Sequence, residues 1–200
     1  MVSNALLWRA ENNDLMKRMG DLRLSEGESG IWAKYYGGKY SMDGQNTNMS
    51  VRYNAYQVGY DKEVGNGWKA GVALSYDDGS SSYGTGHADL KNTSLGLYGT
   101  WTGEDGQYLD LIAKCSRLEN EYDVRNLYKL AGDYKTWGAS LSAEYGKRFE
   151  MDKGFYVDPS VELTLGRVAG KDYTAASDYL DAFGKNKSLA VEQDAFTSLI

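Results

Sequence analysis

The sequence holds one cysteine, one proline, one histidine and four phenylalanines. No apolar run approaches the ~18 residues that a membrane-spanning helix requires. Cys115, being alone, supplies neither a disulfide framework nor a cysteine metal cluster. His87, also alone and set among Gly, Ser and Asp, cannot carry a catalytic triad and reads as a loop residue. No metal-ligand spacing or cofactor motif is found, so the expectation is no metal, no cofactor and no enzyme active site. The net charge of −6 argues against nucleic acid as a partner. With one proline and no low-complexity linker, nothing divides the chain.

What the chain does have is seventeen Tyr, five Trp and 24 Gly, a composition suited to a β protein with interfacial aromatics and close backbone approaches. From Tyr134 to Phe149 the residues alternate strictly. Trp137, Ala139, Leu141, Ala143 and Tyr145 make one apolar face bracketed by aromatics, while Thr136, Gly138, Ser140, Ser142 and Glu144 make the other. A transmembrane strand needs ~9–11 residues and carries an apolar outer band between aromatic girdles. Any crossing of a membrane must therefore run through strands.

The same alternation recurs along the chain. Ile31, Ala33 and Tyr35 oppose Trp32, Lys34 and Tyr36; Tyr56, Val58 and Tyr60 oppose Gln57, Gly59 and Asp61. After a Gly65-Asn66-Gly67 hairpin signal, Trp68, Ala70, Val72, Leu74 and Tyr76 again place aromatics at both ends of an apolar face. Further strands follow around Thr93 to Trp101, Tyr108 to Ser116 and Phe155 to Gly166, and an eighth begins after Lys187. Cys115 falls on an apolar face as a small hydrophobe. Pro159 marks a bulge or the start of regular pairing. The connections at 64–67, 102–106 and 150–154 are short; those at 41–50, 77–92, 118–133 and 168–186 are read as long polar loops. Short turns on one side and long loops on the other are the topology of an outer-membrane barrel.

Residues 4–19 read as a helix capped by Asn4, with Lys17 and Arg18 in its last turn and Gly20 after it. Its apolar residues form no wide stripe, so it is not built for a dry core. The first residues, Met1 to Arg9, show no secretory signal. An outer-membrane protein needs one, so the chain is expected to be part of something longer.

The run Asn12 to Arg23, Gly30-Ile31-Trp32-Ala33-Lys34-Tyr35-Tyr36-Gly37-Gly38, Gln57 to Asp61, Leu95 to Trp101 and Tyr108-Leu109-Asp110 together resemble the translocator β-domain of type V autotransporters. The resemblance implies an all-β fold: a transmembrane antiparallel up-and-down barrel of 12 strands in the bacterial outer membrane, about eight of them present here, with an N-terminal helix in the pore. Residues 1–23 would be pore helix and linker and residues 24–200 a partial barrel domain whose sheet keeps open edges. The inward charges Lys34, Lys69, Asp110, Lys114, Glu144, Arg148 and Glu162 would surround the helix. Trp68, Tyr76, Trp137 and Tyr145 would form lipid-facing girdles.

The implied function is translocator and anchor for a passenger joined in cis, with outer-membrane lipid and the barrel-assembly machinery as partners. The alternative is an adhesin or porin-like barrel that binds partners through its loops. Some relatives cut themselves between two adjacent Asn residues in the pore helix, and Asn12-Asn13 invites that reading, with Asp110 or Glu144 orienting the attacking amide. The pair lies one residue farther from the Arg18-Met19-Gly20 segment than in that subgroup, which rotates it by about 100° and argues against cleavage. If self-cleavage operates, Asn12→Ala abolishes passenger release, read as the free passenger in culture medium; unchanged release removes Asn12 from the chemistry.

Overall fold

The computed structural model describes residues 19–20, 22, 30–44, 47–125, 127–151, 154–180 and 185–199. Its strands are β1 (Gly30–Gly44), β2 (Thr47–Gly65), β3 (Trp68–Tyr83), β4 (Gly86–Thr102), β5 (Gln107–Arg125), β6 (Lys129–Lys147), β7 (Phe149–Glu150), β8 (Tyr156–Val157), β9 (Ser160–Val168), β10 (Lys171–Leu180), β11 (Asn186–Gln193) and β12 (Phe196–Leu199). From β1 to β6 each strand pairs antiparallel with the next. β9 then follows the lower part of β6, from Gly146 opposite Ser160 to Gly138 opposite Val168. β10 takes over along its upper part, with Ala176 opposite Ala131. β12 and β11 pair with β9 and β10 in the same way.

Apart from the two-residue pair β7 and β8, the segments thus amount to eight passages of one up-and-down sheet, the number expected. Its edges are β1 on one side and β11 with β12 on the other, and among the described residues no ladder joins them. Pro159 directly precedes β9, where its carbonyl accepts from the Lys147 amide at 3.2 Å and no ladder donor is missed. It therefore marks the start of pairing. At the Gly65-Asn66-Gly67 turn all three residues have positive φ (90°, 54° and 77°), which the two glycines and an asparagine tolerate.

The outward faces line up in register. Trp68, Trp101, Leu109 and Tyr145 form one row, and Tyr35, Tyr56, Tyr76, Thr93, Arg117 and Trp137 form another. Between the rows the outward residues are apolar, including Val72, Leu74, Leu95, Leu97, Leu111 and Leu141, all exposed. On β3 and β6 the bracketing aromatics are nine residues apart inclusively, Trp68 to Tyr76 and Trp137 to Tyr145, which suits the ~9–11 residues of a tilted crossing.

Beyond the second row the strands do not end, and here the expected loops are corrected. β2, β5 and β6 each run 19 residues, about 60 Å at ~3.3 Å per residue. Residues 41–50, 77–92 and 118–133 are largely strand, as is much of 168–186. The alternation continues there with its polarity reversed. Outward residues become Asp78, Lys91, Glu119 and Lys135, with Lys135 Nζ 3.1 Å from Glu119 Oε2. Several inward residues become apolar: Met49, Val51 and Leu90 cluster with Tyr53 and Tyr83. A charged outward face in water is what a sheet leaving the bilayer requires, and it made these stretches look like loops. His87 belongs to the same extension; it is an exposed strand residue opposite Ser82 and Asp123, not a loop residue.

Inside the sheet, Met19, Gly20 and Leu22 have helical backbone. Met19 and Leu22 are fully buried against Ala73, Tyr98 and Ile112, with Trp32 beside them. Residues 4–18 of the expected helix lie outside the described residues. Aromatic rings also lie flat on glycines of neighbouring strands. A Cβ at Gly59 would sit 2.5 Å from the Trp32 indole, and one at Gly71 2.5 Å from the Tyr98 ring; Tyr108 covers Gly146 likewise.

Leu141→Arg on the outward face should destabilise the membrane-inserted sheet by ~2–4 kcal/mol, whereas Glu144→Arg on the inward face should cost well under half of that, both read by urea unfolding in lipid. Equal costs would overturn the facing. Gly71→Ala drives a methyl into the Tyr98 ring and should cost about 1–3 kcal/mol in the same assay.

Candidate functional site: the inner wall

Side chains that alternate inward from β1 to β6 and β9 form registered rows. A low one holds Lys69, Thr100, Asp110, Glu144 and Glu162, each directly opposite the next. Thr100 Oγ1 donates to Asp110, Tyr108 OH to Glu144 Oε1 at 3.4 Å, and Thr164 Oγ1 to Glu162 Oε1 at 3.0 Å. Lys69 Nζ donates to the Leu22 carbonyl at 2.9 Å, placing a cation on a carbonyl oxygen of the helical residues.

In the next row Tyr98 is a bridge. Trp32 Nε1 donates to its hydroxyl at 2.7 Å, and that hydroxyl donates to Asp61 Oδ2 at 2.9 Å. Above it Lys114 lies between Gly96 and Ser140. Lys34, Gln57, Ser75, Ser94 and Ser116 follow in one row; Ser94 Oγ donates to Ser116 Oγ at 2.8 Å, Gln57 Nε2 to Tyr36 OH at 3.3 Å, and the Lys34 ammonium lies 5.8 Å from the Tyr36 ring centre. Asn92 Nδ2 then donates to Asp77 Oδ2 at 3.0 Å.

Burial is the decisive property of this wall. Asp61 is 2 % exposed, Asp110 0 % and Lys114 3 %. Burying such charges costs several kcal/mol each unless they are paired or hydrogen-bonded, and an empty, water-filled channel would leave them wet. Met19 and Leu22, packed against Ala73, Tyr98 and Ile112, lie on this inner face. Farther out the wall turns to tyrosine. Tyr173 OH donates to Tyr122 OH at 3.0 Å, and the Tyr134 and Tyr173 rings stack at 5.1 Å. Burial, then the Tyr173 hydrogen bond, pushes the Tyr122 phenol well above its ordinary value. On the outer surface the Lys135 hydrogen bond holds the Glu119 carboxyl below its usual range, with Arg117 and Lys91 adding to it.

Of the expected wall residues, the structure places Lys69, Asp110, Glu144 and Glu162 in one row, with Lys114 and Lys34 higher on the same face. Glu162 is exposed. Arg148 lies just past the end of β6, where its guanidinium sits 3.5 Å from Asp158 Oδ2 and 4.2 Å from the Tyr156 ring centre. Tyr76, Trp137 and Tyr145 are exposed on the outward face, and Trp68 is half-buried there over Gly99. Asn12 and Asn13 lie outside the described residues. A search for charges passed over Tyr98 and Asn92, and gave Asp61 no role; their signal was parity, since each sits at an inward position. Tyr98→Phe removes one acceptor from Trp32 and one donor to Asp61 and should cost about 1–3 kcal/mol, read by urea unfolding, against no measurable change for the exposed Tyr128→Phe.

With this geometry in hand, comparison with known proteins is direct. The autotransporter β-domain family model matches residues 31–199. The pertactin autotransporter of Bordetella parapertussis is 34% identical over 180 residues, 86% of this chain and 19% of that protein. The BrkA autotransporter of Bordetella pertussis is 30% identical over 175 residues, 84% of this chain and 17% of that protein. The serine protease Sat autotransporter of Escherichia coli is 33% identical over 181 residues, covering 89% and 14%. The chain therefore spans less than a fifth of these relatives. The translocator domain of NalP from Neisseria meningitidis superposes with a TM-score of 0.73 at 16% identity, covering 98% of this chain and 67% of that one. The β domain of Bordetella BrkA gives 0.66 at 23%, covering 86% and 80%. The lipid-type outward face, the polar and buried inner wall and these matches lead to one statement: the chain belongs to the autotransporter β-domain family, the outer-membrane β-barrel domain of autotransporters.

Proposed function

We propose that this domain anchors in a bacterial outer membrane and exports or displays a passenger joined in cis ahead of the pore segment. The observation that carries the reading is the near-complete burial of Asp61, Asp110 and Lys114 on the inner wall of a sheet whose other face is apolar. A wall of that kind is made to hold a polypeptide, and residues 1–23 are the segment it holds. Lys34, Lys69, Asp110, Lys114, Glu144 and Glu162 supply the charge around it. Arg148 braces the turn after β6. Trp68, Tyr76, Trp137 and Tyr145 sit at the two lipid interfaces, the preferred depth of amphipathic aromatic rings.

The work is mechanical rather than catalytic. Between its two edge strands the sheet pairs its backbone strand to strand, as lipid demands, and the polar interior lets a chain lie or pass where no lipid competes. Outer-membrane lipid and the assembly machinery are the further partners, and no cofactor is needed.

The test places an epitope immediately upstream of this domain in a Gram-negative host, behind a secretory signal, and asks whether proteinase added to intact cells removes it. The expected result is a cleavable surface epitope and a barrel of low ionic conductance in planar bilayers. An epitope that stays inside, together with an open conducting barrel, would favour the adhesin or porin-like alternative.

A further inference from the structure

The outward face carries one feature that anchoring alone does not use. On the apolar band between the girdle rows lies a groove of about 400 Å³ whose floor is made by the small residues Cys115 and Ala139 and whose walls include Leu97, Leu141 and Leu165. The register explains it. Leu95, Cys115, Ala139, Arg167 and Thr197 stand directly opposite one another on five neighbouring strands, so two short side chains in the middle leave a furrow across them. Arg167 lines one end of that furrow.

Arg167 is exposed on the same outward face as Leu165. Among the described residues its guanidinium makes no ion pair or hydrogen bond. Arg117, on β5 and one row farther out, is tied to Glu119 at 3.2 Å. A cation on a lipid face is costly unless it reaches a counter-charge, and a guanidinium's planar set of donors matches a phosphate's oxygens two at a time. An apolar channel that ends on an unneutralised guanidinium has the chemistry of a lipid: a chain for the channel and a phosphate for the cation.

We propose that this groove is a binding site for an anionic phospholipid, with one acyl chain lying over Cys115 and Ala139 and the headgroup phosphate paired with Arg167. The proposal rests on the placement of the sheet in a membrane and assigns one lipid a fixed seat on it. Glu119, farther out on the same face, is already engaged by Arg117 and by Lys135 at 3.1 Å.

The experiment uses the full chain, folded in a neutral maltoside detergent and checked by its heat-shifted gel migration. Phosphatidylglycerol, phosphatidylcholine and inorganic phosphate are added separately. Native mass spectrometry reads retained lipid, and the alkylation rate of Cys115, the chain's single cysteine, reads its position. Phosphatidylglycerol should remain bound and slow alkylation about tenfold when present at about ten times its Kd. Phosphatidylcholine should do so far less, and inorganic phosphate not at all. Arg167→Gln should abolish retention, Arg167→Lys should restore part of it, and Ala139→Leu should abolish it by filling the groove without changing any charge.

Equal retention of the two lipids, retention that survives both Arg167→Gln and Ala139→Leu, or bound lipid that leaves Cys115 unprotected would each overturn the site. Should Arg167→Gln fail to fold, Ala139→Leu decides alone. Loss of heat-shifted migration in the unsubstituted chain would instead count against the membrane-barrel reading, so the two failures are separable.

Discussion

Everything in this structure depends on the requirement that a polypeptide in lipid satisfy its own backbone. With no water to take up a stray amide or carbonyl, the chain has to run as one continuous ladder. Between the two edges of the sheet the details obey this. Pro159, which has no amide to give, stands just ahead of β9. Where the ladder breaks at Ala169, between β9 and β10, the gap is closed from β6: the Ala169 amide donates to the Trp137 carbonyl at 2.8 Å, and Thr136 Oγ1 donates to the Ala169 carbonyl at 2.6 Å. The tight turns are placed outside the apolar band, at positions such as Gly65-Asn66-Gly67 and Gly106 where positive φ is tolerated.

That constraint also decides how much could be read in advance. Within the band, lipid on one side and a polar interior on the other write opposite chemistry on alternate residues, so the facing of Trp137, Leu141 and Tyr145 against Ser140 and Glu144 was legible from the residues alone. Outside the band both faces meet different surroundings. Asp78 and Lys91 now point to water while Val51 and Leu90 point inward, and a reader who expects apolar residues outside sees only a polar loop. The period of two was still present there; its sign had changed. The lumen was legible as a charged surface but not as a bonded one. Tyr98 is indistinguishable from an interfacial tyrosine until Trp32 and Asp61 are found on either side of its hydroxyl. Arg148 has inward parity, but the strand ends before it and Asp158 claims it.

The inner wall and the relatives make the same point from different directions. With its aliphatic side chains mostly turned to lipid, the sheet relies inside the band on polar contacts such as the Thr100 to Asp110 and Ser94 to Ser116 bonds beside small apolar clusters. Relatives as differently named as pertactin and a serine protease autotransporter match this chain over similar lengths, 180 and 181 residues.

The rings laid over glycines carry a further consequence. A strand that slips by one residue exchanges its lipid and lumen faces, and the apolar pattern rejects the error at once. A slip by two residues preserves both faces, and the apolar pattern is blind to it. Trp32 on Gly59, Tyr98 on Gly71 and Tyr108 on Gly146 are not blind. After a two-residue slip each ring meets a position that has lost its glycine, and the flat approach closes. These inward interlocks therefore act as a proofreading code for strand register, sorting correct sheets from near misses that the apolar pattern of the outward face would accept.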